Sequence, residues 1–213
     1  MVVLLNCSNR GLSSNSQYFL ELLKENLKCE TEIIQLNQMK DLNLIKEKFQ
    51  NAEAIVFAMP LYVDSVPAQV MYLMEQLYND RMEFYYNKKV YVIAGMGFYE
   101  SAQIAILLEI MKNWCKKMNM IYGGGLAIGA GEMMAGFKGI PLNQGPCKMF
   151  GEGIRRMANS IESDGTMEDY YSQPNGIPRS IYMFMANRSW VVSAKKNGIK
   201  RKEIKYKRRG EMI

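Results

Sequence analysis

The sequence predicts an α/β fold in which helices cover both faces of a five-stranded parallel sheet. Over roughly the first 160 residues, short apolar runs of strand length alternate with longer segments of helical periodicity. The short runs are rich in Val, Ile, Leu and Tyr, which is typical of strands buried on both faces. The pattern changes after residue 165, so we expect one domain and a C-terminal helical extension.

The five predicted strands are residues 2–6, 31–36, 54–59, 89–94 and 120–128. Each is followed by a segment whose apolar residues recur every three to four positions, as they do along the buried face of a helix. These stripes are Tyr18, Phe19, Leu22 and Leu23; Leu42, Ile45 and Phe49; Val70, Met71, Met74, Leu77 and Tyr78; Ile104, Leu107, Leu108, Met111 and Cys115; and Phe150, Ile154, Met157 and Ile161. Right-handed crossovers then place helices on both faces of the sheet.

We expect the domain to span residues 1–165 and the extension to span residues 166–213. Residues 170–178 form a polar linker with Pro and Gly, and an amphipathic helix is predicted for residues 179–196. This helix carries apolar side chains on more than one face, so it should pack on the same domain or on a partner subunit. A basic tail, residues 195–213, ends the sequence.

The net charge of +6 is concentrated in that tail, which holds nine Lys or Arg residues and two Glu. The rest of the chain therefore carries a charge of −1. The tail is either simply solvated or able to contact a polyanion such as nucleic acid, acidic lipid or the phosphates of NADPH. Because the body is nearly neutral, the charge pattern does not favour a nucleic-acid-binding domain.

Composition also limits the chemistry and the compartment. The four cysteines are widely scattered and the sequence has no histidine, so we expect no metal site. The sequence starts without a basic leader and an apolar segment, and no apolar run approaches membrane-spanning length. We therefore expect a cytoplasmic protein without a membrane span.

A hydroxyl- and amide-rich loop follows the first strand, where ligands bind in open α/β sheets. Its sequence is Ser8-Asn9-Arg10-Gly11-Leu12-Ser13-Ser14-Asn15-Ser16, and Ser14 and Gln17 have the spacing of a helix capping box. Free N–H groups and the positive end of a helix dipole could hold a phosphate here. The alternative is a polar turn that only caps the helix. The loop lacks the glycine and lysine pattern of P-loops and the glycine pattern of dinucleotide-binding folds.

Two further loops follow the third and fourth strands. The first contains Met59-Pro60-Leu61-Tyr62-Val63-Asp64-Ser65-Val66-Pro67, an apolar turn stiffened by two prolines and suited to border a flat ring. The second contains Gly95-Met96-Gly97-Phe98-Tyr99-Glu100, where small residues permit close approach of a ring. Each loop also has a structural alternative. The first could be a proline-ordered turn that packs on its own helix, and the second is equally consistent with a glycine turn before a helix.

Glycines crowd the end of the fifth strand, at positions 123, 124, 125, 129 and 131, ahead of Glu132. They indicate either a loop that reaches a neighbouring ligand or tight packing at the sheet edge.

Taken together, residues 8–16, residues 60–63 and residues 95–98 resemble the NAD(P)H-dependent FMN reductase branch of the flavodoxin superfamily, over about residues 1–160. The resemblance implies a three-layer flavodoxin-like fold with strand order 2-1-3-4-5. It implies that the FMN phosphate is bound by Ser8, Arg10, Ser14, Asn15 and Ser16. It also implies that the ring is bordered by Pro60, Leu61, Tyr62 and Val63 and by Gly95, Met96, Gly97 and Phe98, with Glu100 nearby.

The resemblance further implies an oxidoreductase that passes a hydride from NAD(P)H to FMN and then to a small acceptor such as a quinone, a flavin or a nitro compound. The alternative is a non-enzymatic electron carrier that docks to a redox partner. No side chain is assigned a catalytic role, because the cofactor performs the chemistry. Proteins of this branch are usually dimers, so we expect a homodimer or a dimer of dimers.

Overall fold

The apolar runs form one parallel sheet. The structure, a computed structural model, describes residues 1–38, 42–80, 83–201 and 203–204. The strands are β1 (Val2–Asn6), β2 (Thr31–Gln35), β3 (Ala54–Pro60), β4 (Lys89–Gly95), β5 (Ile121–Ile128) and β6 (Tyr170–Ser172). Their order across the sheet is β2-β1-β3-β4-β5-β6, with every neighbouring pair parallel. The predicted order of the first five strands is confirmed.

The sixth strand corrects the prediction, which assigned residues 170–178 to a linker. Asp169 holds this strand against β5, because its carboxylate accepts hydrogen bonds from the Tyr122 hydroxyl and the Gly125 N–H, both at 2.7 Å. At the other end, the Gly129 N–H donates to the Ser172 carbonyl at 2.9 Å. A strand of three residues is too short for an alternating pattern to reveal it.

Helices cover both faces of the sheet. They are α1 (Asn15–Glu25), α2 (Leu42–Asn51), α3 (Ala68–Asp80), α4 (Ala105–Lys117), α5 (Gly131–Gly136), α6 (Lys148–Glu162) and α7 (Arg179–Lys196). Buried residues of α2, α3 and α4 form one apolar cluster with alternate residues of the strands. Buried residues of α1, α5 and α6 form the second cluster with the remaining strand residues. Strand β1 contributes to both clusters and is buried along its whole length.

The consecutive glycines of β5 are explained by packing. A Cβ on Gly123 would lie 2.6 Å from the Tyr91 ring, and a Cβ on Gly125 would lie 2.6 Å from the Leu108 side chain. Gly124 has φ of +117° and lies against the Met167 carbonyl. The structural alternative therefore accounts for these three residues.

The chain divides into two compact units, Met1–Asn175 and Gly176–Ile213. Helix α7 in the second unit has the bounds predicted from the sequence. Its packing on the domain or a partner subunit stays a prediction, as does the division at residue 165. Within the basic tail, residues 202 and 205–213 lie outside the described residues. In the described ranges, no helix combines the length and apolarity needed to cross a membrane.

Candidate functional site

Four loops meet at the carboxyl edge of the sheet. The register pairs Asn6 with Ala58, Pro60 with Gly95, and Gly95 with Ile128, so β1, β3, β4 and β5 end side by side. The loops that follow these strands enclose a cleft of about 160 Å³. Its lining residues are Ser8, Arg10, Ser14, Asn15, Ser16, Phe19, Pro60, Leu61, Tyr62, Gly95, Met96, Gly97, Gly131 and Glu132.

The cleft brings together residues from all three loops that the sequence singled out. Val63, Phe98 and Glu100 were also predicted for the site but do not line the cleft. Val63 is 98% exposed and Phe98 is 67% exposed, so both side chains lie at the surface near its edge. Phe19 and Glu132 were not predicted for the site, and for Gly131 contact with a ligand was one of two alternatives. Phe19 lies in helix α1, and Gly131 and Glu132 begin helix α5.

The loop after β1 is folded by its own hydrogen bonds. Gly11 has φ of +54° and begins a short 3-10 turn that ends at Ser13. Ser14 then caps helix α1, because its hydroxyl accepts a hydrogen bond from the Gln17 N–H at 3.1 Å. The same hydroxyl donates to the Gly11 carbonyl at 2.6 Å. The predicted cap is confirmed. The reciprocal half of a capping box is not made, because the Ser14 N–H donates to the Gly11 carbonyl at 3.0 Å instead of to the Gln17 side chain.

Several donors of this loop have no partner among the described residues. The N–H groups of Asn15 and Ser16 open helix α1, where an N–H has no carbonyl one turn earlier to bond. The Arg10 guanidinium makes no ion pair or hydrogen bond within the described chain. The Ser8 hydroxyl accepts from the Arg10 N–H at 3.3 Å and keeps its own hydrogen free. This part of the cleft is rich in hydrogen-bond donors and lies at the positive end of a helix dipole.

An apolar turn forms the second wall. The Leu61 N–H donates to the Gly95 carbonyl at 2.9 Å, which ties the turn to β4. Tyr62 and Ser65 exchange backbone hydrogen bonds of 3.2 and 3.0 Å across a tight turn. Val63 and Asp64 at its tip have φ of +48° and +56°. A left-handed conformation is rare for a β-branched residue, so the turn holds Val63 under local strain.

The two glycines after β4 have different surroundings. A Cβ on Gly95 would lie 2.9 Å from Cε2 of Phe19, so this glycine makes room for a buried core ring. Apart from its two chain neighbours, a Cβ on Gly97 would have no atom of the described residues within 4 Å. Gly97 therefore leaves an open space in the wall of the cleft, which a ligand can fill.

The loop after β5 packs closely against the loop after β4. The Gly131 N–H donates to the Met96 carbonyl at 2.7 Å, and the Met96 N–H donates to the Ile128 carbonyl at 3.1 Å. Gly129 lies against the Tyr99 carbonyl, where a side chain would clash. This packing carries Gly131 and Glu132 into the cleft wall, so the glycines at 129 and 131 shape the site while those at 123–125 serve the sheet.

The cleft contains few groups that could catalyse a reaction by themselves. Arg10 and Glu132 are the charged residues among those lining it. The neighbouring Cys7 is fully buried, and burial raises the pKa of its thiol well above the usual value. A thiolate nucleophile is therefore disfavoured there. The described ranges contain no cluster of acidic or cysteine residues that could bind a metal ion.

A doubly wound parallel sheet with a donor-rich loop after β1 and an apolar turn after β3 defines a flavodoxin-like protein. Solved structures with this fold include an NADPH-quinone reductase from P. pentosaceus, with a TM-score of 0.57 and 15% identity, covering 78% of this chain and 98% of that one. An oxidoreductase from Corynebacterium diphtheriae has a TM-score of 0.57 and 13% identity, covering 76% and 94%. A Streptococcus pneumonia flavodoxin has a TM-score of 0.52 and 12% identity, covering 77% and 99%.

The family is defined by the sequence itself. Residues 1–132 match the model of the NADPH-dependent FMN reductase family, and this match covers more than half of the chain. The chain therefore belongs to that family, as an oxidoreductase with FMN as cofactor and NAD(P)H as co-substrate. No curated protein matches the sequence.

Proposed function

We propose that this protein is an NAD(P)H oxidoreductase that uses FMN, bound in the cleft at the carboxyl edge of its sheet, to reduce a small acceptor such as a quinone, a flavin or a nitro compound. The observation that carries the proposal is the pairing of a donor-rich loop with an apolar wall that Gly97 leaves open. A phosphate at one end and a flat apolar ring at the other are the two parts of FMN that such a cleft can hold.

The phosphate would be held by Ser8, Arg10, Asn15 and Ser16. These residues supply the free hydroxyl, guanidinium and N–H donors of the loop. Hydrogen bonds to an ionised phosphate are stronger than those between neutral groups. Ser14 was predicted as a further ligand, but its hydroxyl hydrogen is directed at Gly11, so we propose that Ser14 shapes the loop.

The isoalloxazine ring would lie between Pro60–Tyr62 on one side and Gly95–Gly97 on the other. The backbone hydrogen bond from Leu61 to Gly95 joins these two walls of the cleft and fixes the distance between them. Val63 and Phe98 are exposed beside the cleft and would border the face at which the nicotinamide and the acceptor approach.

The proposed chemistry needs positioning more than acid–base catalysis. When bound, FMN supplies the hydride-accepting and electron-donating chemistry. The chain supplies the phosphate donors, the rigid apolar walls and the exclusion of water from one side of the ring. The absence of histidine from the sequence is consistent with this division of roles.

We also propose a homodimer in which the subunits meet near the cleft. Large apolar side chains are exposed at its edge and on the neighbouring helix α3, where Met71 is 52% and Tyr72 is 56% exposed. A second copy would cover them. Light scattering on wild type and Tyr72→Glu tests this, with a dimer expected for the former and a monomer for the latter; a wild-type monomer would refute it.

Flavin binding and turnover test the proposed function. Adding FMN to the apoprotein should quench flavin fluorescence, and the complex should oxidise NADPH continuously when a quinone is supplied. A protein that leaves FMN fluorescence unchanged would refute the proposal.

An electron carrier would behave differently in the same assay. The chain shares its fold with a flavodoxin, and a flavodoxin-like electron carrier is therefore the second candidate. A carrier would bind FMN but oxidise NADPH only after a partner reductase is added. The near-neutral body of the chain favours the enzyme, because flavodoxin carriers are strongly acidic.

A further inference from the structure

Asn6 is a buried amide directly behind the phosphate loop. It is the last residue of β1 and is fully buried. Its side-chain oxygen accepts a hydrogen bond from the Ser8 N–H at 3.0 Å. Its side-chain nitrogen donates to the Gly11 carbonyl at 3.0 Å. One side chain thus holds the loop at two points that flank Arg10.

The same amide connects the loop to the neighbouring strand. The Asn6 nitrogen also donates to Oε1 of Gln35, the last residue of β2, at 2.9 Å. An amide nitrogen carries two hydrogens, and its two shortest contacts are the Gly11 carbonyl and Gln35. The longer contacts of 3.2 Å to Ser14 and Gln17 share these hydrogens. Both donors of Asn6 are therefore in use.

Two amides from the β2 side complete the support. Gln35 donates to Oε1 of Gln17 in helix α1 at 2.7 Å. Asn37 donates to the Asn9 carbonyl at 3.1 Å, and its side chain lies against Gly11, where a Cβ would come within 2.9 Å. The loop is thus fixed from behind, while the N–H groups of Asn15 and Ser16 remain free at its front.

We propose that Asn6 is a positioning residue that holds the loop in the conformation that selects a phosphorylated flavin. The inference rests on the proposed function, since it assigns the phosphate to this loop. Asn6 is not among the residues that line the cleft, so a role in binding would be indirect. It acts through Ser8 and Gly11, which orient the Ser8 hydroxyl, the Arg10 side chain and the start of helix α1.

The test compares FMN with riboflavin, which lacks the phosphate. In Asn6→Ala the loop loses its support, and the affinity for FMN should fall by about tenfold or more, equivalent to the loss of one hydrogen bond to a charged group. The affinity for riboflavin should stay within about threefold. Asn6→Asp keeps the acceptor for the Ser8 N–H but removes the donor to the Gly11 carbonyl and adds negative charge behind the loop. Its affinity for FMN should therefore fall further than that of Asn6→Ala.

Gln35→Leu provides an independent variant that leaves Asn6 and the loop sequence intact. It removes the β2 acceptor of Asn6 and the hydrogen bond from Gln35 to Gln17, while both hydrogen bonds between Asn6 and the loop can still form. The ratio of FMN to riboflavin affinity should fall in the same direction by a smaller factor. This variant keeps the inference testable even if the Asn6 variants do not fold.

Trp114→Phe is the matched control for a general loss of stability. It removes a buried hydrogen bond from the indole to the Met74 carbonyl, far along the chain from the loop. This variant should lower the denaturant midpoint of the apoprotein and leave the ratio of FMN affinity to riboflavin affinity unchanged.

The possible results separate this inference from the proposed function. If the wild type prefers FMN over riboflavin and the Asn6 and Gln35 variants keep the same preference, the inference is overturned and the proposed function stands. Equal losses of both flavins would also overturn it, since they indicate a structural role. Wild type that binds neither flavin would overturn the proposed function, and the inference with it.

Discussion

A substitution at Gly97 should weaken flavin binding without changing the stability of the apoprotein. A Cβ at this position meets no atom of the described residues within 4 Å apart from its two chain neighbours, and the φ of Gly97 is outside the left-handed region. Gly97→Val should therefore change the free energy of unfolding of the apoprotein by no more than about 0.5 kcal/mol. Because Gly97 lines the cleft, we expect the added side chain to occupy space that we assign to the flavin.

The effect on flavin binding follows from overpacking. Inserting a side chain into a filled site costs about 1–3 kcal/mol, which corresponds to a Kd raised by roughly 5- to 150-fold. The loss should be similar for FMN and riboflavin, because the substitution affects the ring and not the phosphate.

Gly95→Ala is the matched substitution two residues earlier. Its Cβ would lie 2.9 Å from Phe19, whose ring packs edge-on against Phe150 with centroids 5.3 Å apart. Because Phe19 is fixed in the core, Gly95→Ala should destabilise the apoprotein by about 1–3 kcal/mol. The free energy of unfolding of the apoprotein should therefore fall clearly in Gly95→Ala and stay near the wild-type value in Gly97→Val.

Fluorescence titration with FMN and urea denaturation of the apoprotein measure the two quantities. A Gly97→Val protein with wild-type stability and wild-type FMN affinity would refute the placement of the ring. A large loss of stability in that variant would refute the interpretation that the space next to Gly97 in the cleft wall is open.

Further predictions concern the two walls and the distant surface. Arg10→Ala should weaken FMN binding by about tenfold and riboflavin much less, and equal losses in the two titrations would reject the phosphate assignment. Val63→Gly removes left-handed strain of about 1 kcal/mol and should not lower the thermal midpoint; a clear drop would contradict the strain. Hydrogen bonds from the Cys29 and Lys28 N–H groups lower the pKa of Glu162, so its stabilisation is present above pH about 4.3 and lost as pH falls through the lower folded value. Acid denaturation should therefore be less steep in Glu162→Gln, and identical pH profiles would exclude this linkage.

The sequence predicted the sheet because its signals are local. The first five strands are apolar runs bounded by polar segments, and their observed ends differ from the predicted ones by at most one residue. The Ser14 cap was visible from its spacing to Gln17. Loops after parallel strands share one edge of the sheet, so the meeting of the three predicted loops followed from the topology.

The features that the sequence did not reveal depend on contacts between distant residues. Strand β6 is held by Asp169 through Tyr122 and Gly125, more than forty positions earlier in the chain. Asn6 ends an apolar run and has no pattern of its own, and its partner Gln35 lies 29 residues away. Glu132 enters the cleft because the loop after β5 packs on Met96.

A crystal structure of the FMN complex tests the central claim most directly. The account predicts the phosphate within hydrogen-bond distance of the Ser8 and Ser16 hydroxyls and the Asn15 and Ser16 N–H groups, with the ring between Pro60–Tyr62 and Gly95–Gly97. FMN bound elsewhere, or bound with its phosphate away from this loop, would contradict it.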